Sequence, residues 1–168
     1  NALSINYVAT TDKKTIVNLT NHSYFNLGGY SSGSIHSHEL MLDAQYYLPT
    51  DDTLIPTGEI RSVKGTPFDF TVAKEVGRDI SSNDEGLIFA RGYDHCFCFG
   101  ESKDVVKRAE LYDKKSGRAM EMFTNQPAVH IYTGNYVNNE KYPFKGGVAQ
   151  KKRCAVCMET QHAPDSPN

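Results

Sequence analysis

What the sequence is short of excludes several classes at once. Eighteen Lys and Arg stand against twenty Asp and Glu, a net charge of -2, so the surplus of cations that a nucleic-acid binder spends on phosphates is missing. No nucleic-acid partner is expected. No apolar run approaches the roughly 18 residues of a membrane span, and no charged start followed by an apolar block marks a signal peptide. The chain therefore reads as soluble and cytoplasmic, with no membrane partner. Internal repeats, low-complexity tracts and linkers are lacking too, so its 168 residues read as one domain or part of one. Helix signals are scarce: Thr71 to Val76 can form a turn or two before Gly77, and nothing else sustains a 3.6-residue period.

Cysteine is present but poorly placed for a shared metal. Cys96 and Cys98 make a C-x-C pair, and Cys154 and Cys157 a C-x-x-C pair, which raises a zinc or redox reading. Both pairs lie inside apolar runs and lack the glycine-bearing knuckle that lets two thiolates converge. If the runs are strands, residues three apart face opposite sides of the sheet, so Cys154 and Cys157 do not chelate together. Buried, reduced thiols and no metal site are the expectation.

What the sequence has in quantity is short segments with period-two alternation or β-branched and aromatic enrichment, separated by turn residues. Strands are expected at Leu3 to Ala9, Thr15 to Thr20, Ser37 to Leu42, Tyr46 to Leu48, Gly58 to Ser62, Asp94 to Phe99, Arg108 to Tyr112, Ala119 to Phe123, Ala128 to Tyr132 and Ala155 to Thr160. Asp113 to Gly117 reads as a hairpin turn, with Gly117 free to take a positive φ. Polar loops are expected at Gly28 to Ser34, Pro49 to Ile55, Ser81 to Gly86 and Asn138 to Gly147. The fold class is all-β, an antiparallel β-sandwich.

Six segments set polar groups among apolar ones. Asn18 to Leu27 holds His22 and Tyr24 just beyond a strand, where loops of a rigid scaffold carry function. Tyr93 to Phe97 begins with Asp94 beside His95, which point to opposite faces of a strand. Thr124 to Asn135 puts Gln126, His130 and Tyr132 on one alternating set, a face of amide and rings suited to hydroxyl-rich ligands. Val156 to Asp165 carries Glu159 at the end of an apolar run, on one face with Cys157 and Gln161; a carboxylate there is costly unless paired or used. Thr66 to Phe70 and Pro49 to Gly58 read as loops shaped by Pro, Asp and Gly.

In this order the six segments resemble the aldose 1-epimerase family, the galactose mutarotases, over nearly the whole chain. The resemblance implies a galactose mutarotase-like supersandwich with an open sugar cleft. It also implies an isomerase of hexose metabolism that interconverts the anomers of free galactose or glucose, with a small-molecule hexose as partner. By motif position Glu159 resembles the family's general base at the anomeric hydroxyl and His22 its general acid at the ring oxygen. Asp94, Tyr24, Gln126 and His130 fall in substrate-binding positions. Neither metal nor organic cofactor is implied, since ring opening and reclosure need only two proton transfers, and unperturbed carboxylate and imidazole pKa values of about 4.3 and 6.5 suit them.

This chain departs from the family pattern at two positions, with His130 where glutamine is common and Ala128 where glycine is. The family also supplies an arginine and a second histidine from an N-terminal part, and a final strand after the Glu159 segment, so the chain reads as a truncated domain. The alternatives are a non-catalytic sugar sensor of the same fold and a hexose 6-phosphate mutarotase, the latter needing basic residues at its cleft.

Overall fold

The computed structural model describes residues 1–139 and 141–168. Alternating burial decides its layers. The elements are, in chain order, β1 (Tyr24–Phe25), β2 (His38–Leu42), β3 (Tyr46–Leu48), β4 (Arg61–Ser62), β5 (Lys74–Glu75), α1 (Glu85–Ala90), β6 (Asp94–Cys98), β7 (Val106–Asp113), β8 (Arg118–Thr124), β9 (Ala128–Tyr132) and β10 (Val156–Gln161). Among the described residues they form a six-stranded sheet in the order β1-β10-β9-β6-β3-β4 and a four-stranded sheet in the order β5-β2-β7-β8. All the pairings within these sheets are antiparallel. This is the all-β sandwich expected.

The core lies between the sheets because period-two alternation turns one side chain in two inward. The larger sheet sends in Tyr47, Phe97, Val129, Ile131, Val156 and Met158, and the smaller one Leu40, Leu42, Ala109 and Leu111. Leu40 opposes Leu111 and Leu42 opposes Ala109 in the β2–β7 register. Phe68 and Phe70, in the loop before β5, close one end, with Phe68 stacked on Tyr47 at 4.1 Å. Each fully buried Val, Leu, Ile or Phe among them contributes about 1.5–3 kcal/mol by leaving water.

Turn chemistry sets the connections. Asp113 accepts from the backbone N–H of Lys115 and Ser116, and Gly117, at φ +71°, donates its N–H to the Asp113 carbonyl at 2.8 Å. These bonds fix the β7–β8 hairpin read from the sequence.

Several expectations fail, for identifiable reasons. Leu3 to Ala9 and Thr15 to Thr20 form no strand. Alternation suits a strand only where a neighbour supplies a ladder, and Leu3, Val8, Ile16 and Val17 are exposed. Residues 18–20 instead run beside the end of β10 through side chains. Asn18 exchanges bonds with the backbone of His162, and the Thr20 hydroxyl donates to the Thr160 carbonyl. Thr71 to Val76 is not helical, because Lys74–Glu75 adds to the edge of β2 as β5. A helix begins instead at the end of the expected Ser81 to Gly86 loop, where the Asp84 carboxylate caps α1 by accepting from Gly86 and Leu87. Gly58 to Ser62 shortens to the two residues of β4. The Asn138 to Gly147 loop includes residue 140, which lies outside the described residues. No helix among the described residues is long and apolar enough to cross a membrane.

The start of β6 is clamped to the end of β9. The Tyr93 N–H donates to Thr133 Oγ1 at 3.1 Å and Asn135 Nδ2 donates to the Tyr93 carbonyl at 2.8 Å. Thr133 Oγ1 in turn donates to Asn135 Oδ1 at 2.8 Å. Gly92 makes room for this clamp: a Cβ there would fall 2.3 Å from Asn135 Oδ1, and its φ of +142° also favours glycine.

Candidate active site

The outer face of the larger sheet carries the polar residues as two rows. Register alone builds the first: Tyr24 pairs Cys157, Cys157 pairs Tyr132, and Tyr132 pairs Asp94. In the second row Glu159 pairs His130 and His130 pairs Cys96. Continuing the β1–β10 register two residues outward places residue 22 opposite residue 159. The side chains obey this: His22 Nε2 lies 3.5 Å from Glu159 Oε1. Residues far apart in sequence thus meet because period two sends positions 130 and 132, or 157, 159 and 161, to one face.

These side chains line an open cleft of about 460 Å³, formed by His22, Tyr24, Asp94, His130, Tyr132, Tyr136, Glu159, Gln161 and Pro164. The His22 ring stacks on Tyr24 at 5.1 Å and meets Tyr132 edge-on at 6.1 Å, which fixes the plane of the imidazole. The two members of the pair differ in exposure, His22 at 52% and Glu159 at 9%. Burial raises the Glu159 pKa above the ordinary glutamate value; His22 and His130 pull against this, and Asp94 adds to it. His130 Nε2 lies 2.7 Å from Asp94 Oδ1, so this histidine is tied to a carboxylate. Ala128 packs in a small cluster with Leu48 and Cys96.

Of the residues singled out from sequence, His22, Tyr24, Asp94, His130 and Glu159 come together. Gln126 does not. It precedes β9 in a bend, where its backbone N–H bonds Thr124 Oγ1, and the regular alternation that would carry it to the cleft is broken before Ala128. Asn26 proves to be a brace: it donates to the carbonyls of Gly33 and Cys154 and accepts from Gly28 and Ser32. This ties the loop after β1 to the approach of β10. Tyr136 and Pro164 were not foreseen, since both sit in loops where no period operates. Gly134, at φ +63°, turns the chain back, and the Tyr136 N–H then bonds Tyr132 Oη at 3.1 Å.

His95, beside Asp94, faces the opposite way and is wholly buried, with Phe68 at 4.7 Å. The four cysteines are free. Cys157 lies under the cleft, and burial, then the charges of Glu159 and Asp94, push its thiol up to about 12.

A family model described as aldose 1-epimerase matches residues 1–168. The chain belongs to the aldose 1-epimerase family. The galactose mutarotase of Homo sapiens is 42% identical over 166 residues, which cover 99% of this chain and 47% of that protein. The aldose 1-epimerase of Haemophilus influenzae is 37% identical over 170 residues, covering 100% and 48%. Two solved structures share the fold. The GalM/aldose epimerase homologue from C. elegans has a TM-score of 0.76 at 27% identity, covering 90% of this chain and 44% of that one. Galactose 1-epimerase from Lactobacillus acidophilus NCFM has a TM-score of 0.75 at 32% identity, covering 91% and 42%. The chain spans about half the length of the curated relatives it matches.

Proposed function

We propose that this member of the aldose 1-epimerase family interconverts the α and β anomers of a free hexose such as galactose or glucose, with Glu159 as general base and His22 as general acid. The observation that carries the reading is the 3.5 Å approach of His22 Nε2 to Glu159 Oε1 inside a cleft of rings and hydroxyl-binding groups. Both oxygens that exchange protons in mutarotation, the anomeric hydroxyl and the ring oxygen, are bonded to one carbon. An acid and a base that serve them must therefore stand side by side, within hydrogen-bond reach of adjacent atoms.

Glu159 takes the proton of the anomeric hydroxyl as His22 protonates the ring oxygen, and the ring opens to the aldehyde. Rotation about the bond between the first two carbons, then reclosure with the roles exchanged, delivers the other anomer. Asp94 orients the sugar with the carboxylate oxygen that His130 leaves free, and the Tyr24 and Tyr132 rings offer faces to its apolar side. The hexose 6-phosphate alternative has less support, because the described residues lining the cleft include neither Lys nor Arg.

Polarimetry of freshly dissolved α-D-galactose and α-D-glucose tests the reading. The assay is run with chelator present, on the 168-residue chain and on a longer form carrying the remaining half that its relatives have. Acceleration over the buffer blank is expected for the longer form at least. A rate equal to the blank for both, with sugar still bound, would replace the enzyme by a sensor.

A further inference from the structure

The Glu159–His22 pair has a third neighbour that mutarotation does not use. His22, Cys157 and Glu159 each present one donor atom, nitrogen, sulfur and oxygen, and all three lie within 4.8 Å of one another. They converge because Cys157 and Glu159 share a face of β10, while the β1–β10 pairing brings the Tyr24 end of β1 alongside. We propose that these three side chains form a site for a borderline-soft divalent cation of the zinc type, which occupies the acid–base pair and blocks turnover.

The donor set selects the ion. Magnesium and calcium take oxygen ligands almost alone, whereas zinc accepts thiolate, imidazole and carboxylate together in tetrahedral geometry. With metal–donor bonds of about 2.0–2.3 Å, tetrahedral donors stand roughly 3.5 Å apart, the separation already present between His22 and Glu159. Cys157 and Glu159 are held by the β10 ladder and are buried, whereas His22 lies just before β1 and is half exposed. The imidazole is therefore the arm that closes on the ion.

Binding releases the Cys157 thiol proton to solvent as the sulfur–metal bond forms, and the fourth position opens on the cleft to water. In that state a Glu159 oxygen is committed to the metal and the His22 nitrogen has no proton to give, so the cation and the sugar exclude one another. The structural part of the proposal is independent of the assigned reaction; only its inhibitory consequence rests on the mutarotase reading.

Cobalt(II) is the probe, since a thiolate ligand produces a charge-transfer band that oxygen and nitrogen ligands do not. Titration of the protein with cobalt(II) should give that band, zinc should erase it, and galactose should compete. Cys157→Ser should lose the band, Cys154→Ser should keep it, and His22→Ala should weaken cobalt binding by at least about tenfold, as a lost ligand requires. In polarimetry, zinc should slow the wild-type protein, chelator should restore it, and Cys157→Ser should turn over undisturbed by zinc. No thiolate band, or a band that survives Cys157→Ser, would overturn the site. A band with the expected variant pattern in a protein that never accelerates mutarotation would keep the site and discard the reaction.

Discussion

Glu159 is a carboxylate that its surroundings have made harder to ionise, and the direction of that shift sets a pH signature. A general base works as its anion, so the rate falls as pH drops through its pKa. Burial raises that pKa, so the acid limb of kcat/KM should lie above the range of an ordinary glutamate. Glu159→Gln keeps the shape and loses the base, and should lower kcat by about a hundredfold or more while leaving sugar binding. His22→Asn should do the same for the acid. Wild-type turnover in either variant would reassign that role.

His95 makes a separate prediction, about stability. Burial first, then the charge of His130, lowers its pKa from the usual 6.5 to about 4. Its Nε2 finds no partner among the described residues, and Nδ1 accepts the Asp94 N–H. The unfolded chain thus takes up a proton at a pH where the folded one does not. The stability this represents is full above about pH 6.5 and is lost as pH falls to about 4, a swing on the order of 3 kcal/mol. His38, buried with its pKa also lowered, adds in the same sense. Urea unfolding of His95→Phe at several pH values should show a clearly flatter dependence across that window; an unchanged slope would put the proton elsewhere.

At the scale of elements, positioning of Asp94 depends on Gly92 and its clamp. Gly92→Ala forces Asn135 aside and strains a backbone at φ +142°, which should cost about 1–3 kcal/mol and weaken sugar binding through Asp94. Thermal melts and a binding isotherm together check this, and a variant with unaltered melting would remove the clamp from the argument. Elements of this kind also show where a sequence can be read and where it cannot. β2, β7 and β8 were legible because they alternate over five to eight residues and Asp113 to Gly117 names a turn, and β3, β6, β9 and β10 because they are apolar or aromatic runs bounded by turn residues. β1 and β5, two residues each, carry no period at all, and they exist only because β10 and β2 stand ready to pair with them. α1 spans six residues, too few to display 3.6-residue spacing, and its start was read as part of the Ser81 to Gly86 loop. The face shared by Cys157, Glu159 and Gln161 was readable from β10 alone. The arrival of His22 beside it was not, since that depends on which distant strand pairs there. Gln126 was misplaced for a related reason: alternation was extended past the bend that ends it.

Across the whole molecule the edges are unequal. β8 is a seven-residue edge strand with Phe123 about half exposed, and such an edge offers a free ladder to another chain. The 168-residue chain should self-associate in light scattering at rising concentration, and Phe123→Lys should shift it toward monomer; equal size distributions for the two would clear β8 of the role. An edge of the six-stranded sheet has another consequence. The β1–β10 pairing is two residues long, Tyr24 with Cys157 and Phe25 with Val156, and it is braced by side-chain bonds from Asn18, Thr20 and Asn26 to the carbonyls of His162, Thr160 and Cys154. Its amides should exchange with deuterium through small local openings, well ahead of those in the β7–β8 hairpin. The proposed base thus rides on a strand held by the five-pair β9 ladder, and the proposed acid on the segment that leads into a two-pair one. The 3.5 Å spacing of His22 and Glu159 is therefore only as constant as that short ladder and the side-chain bonds that brace it.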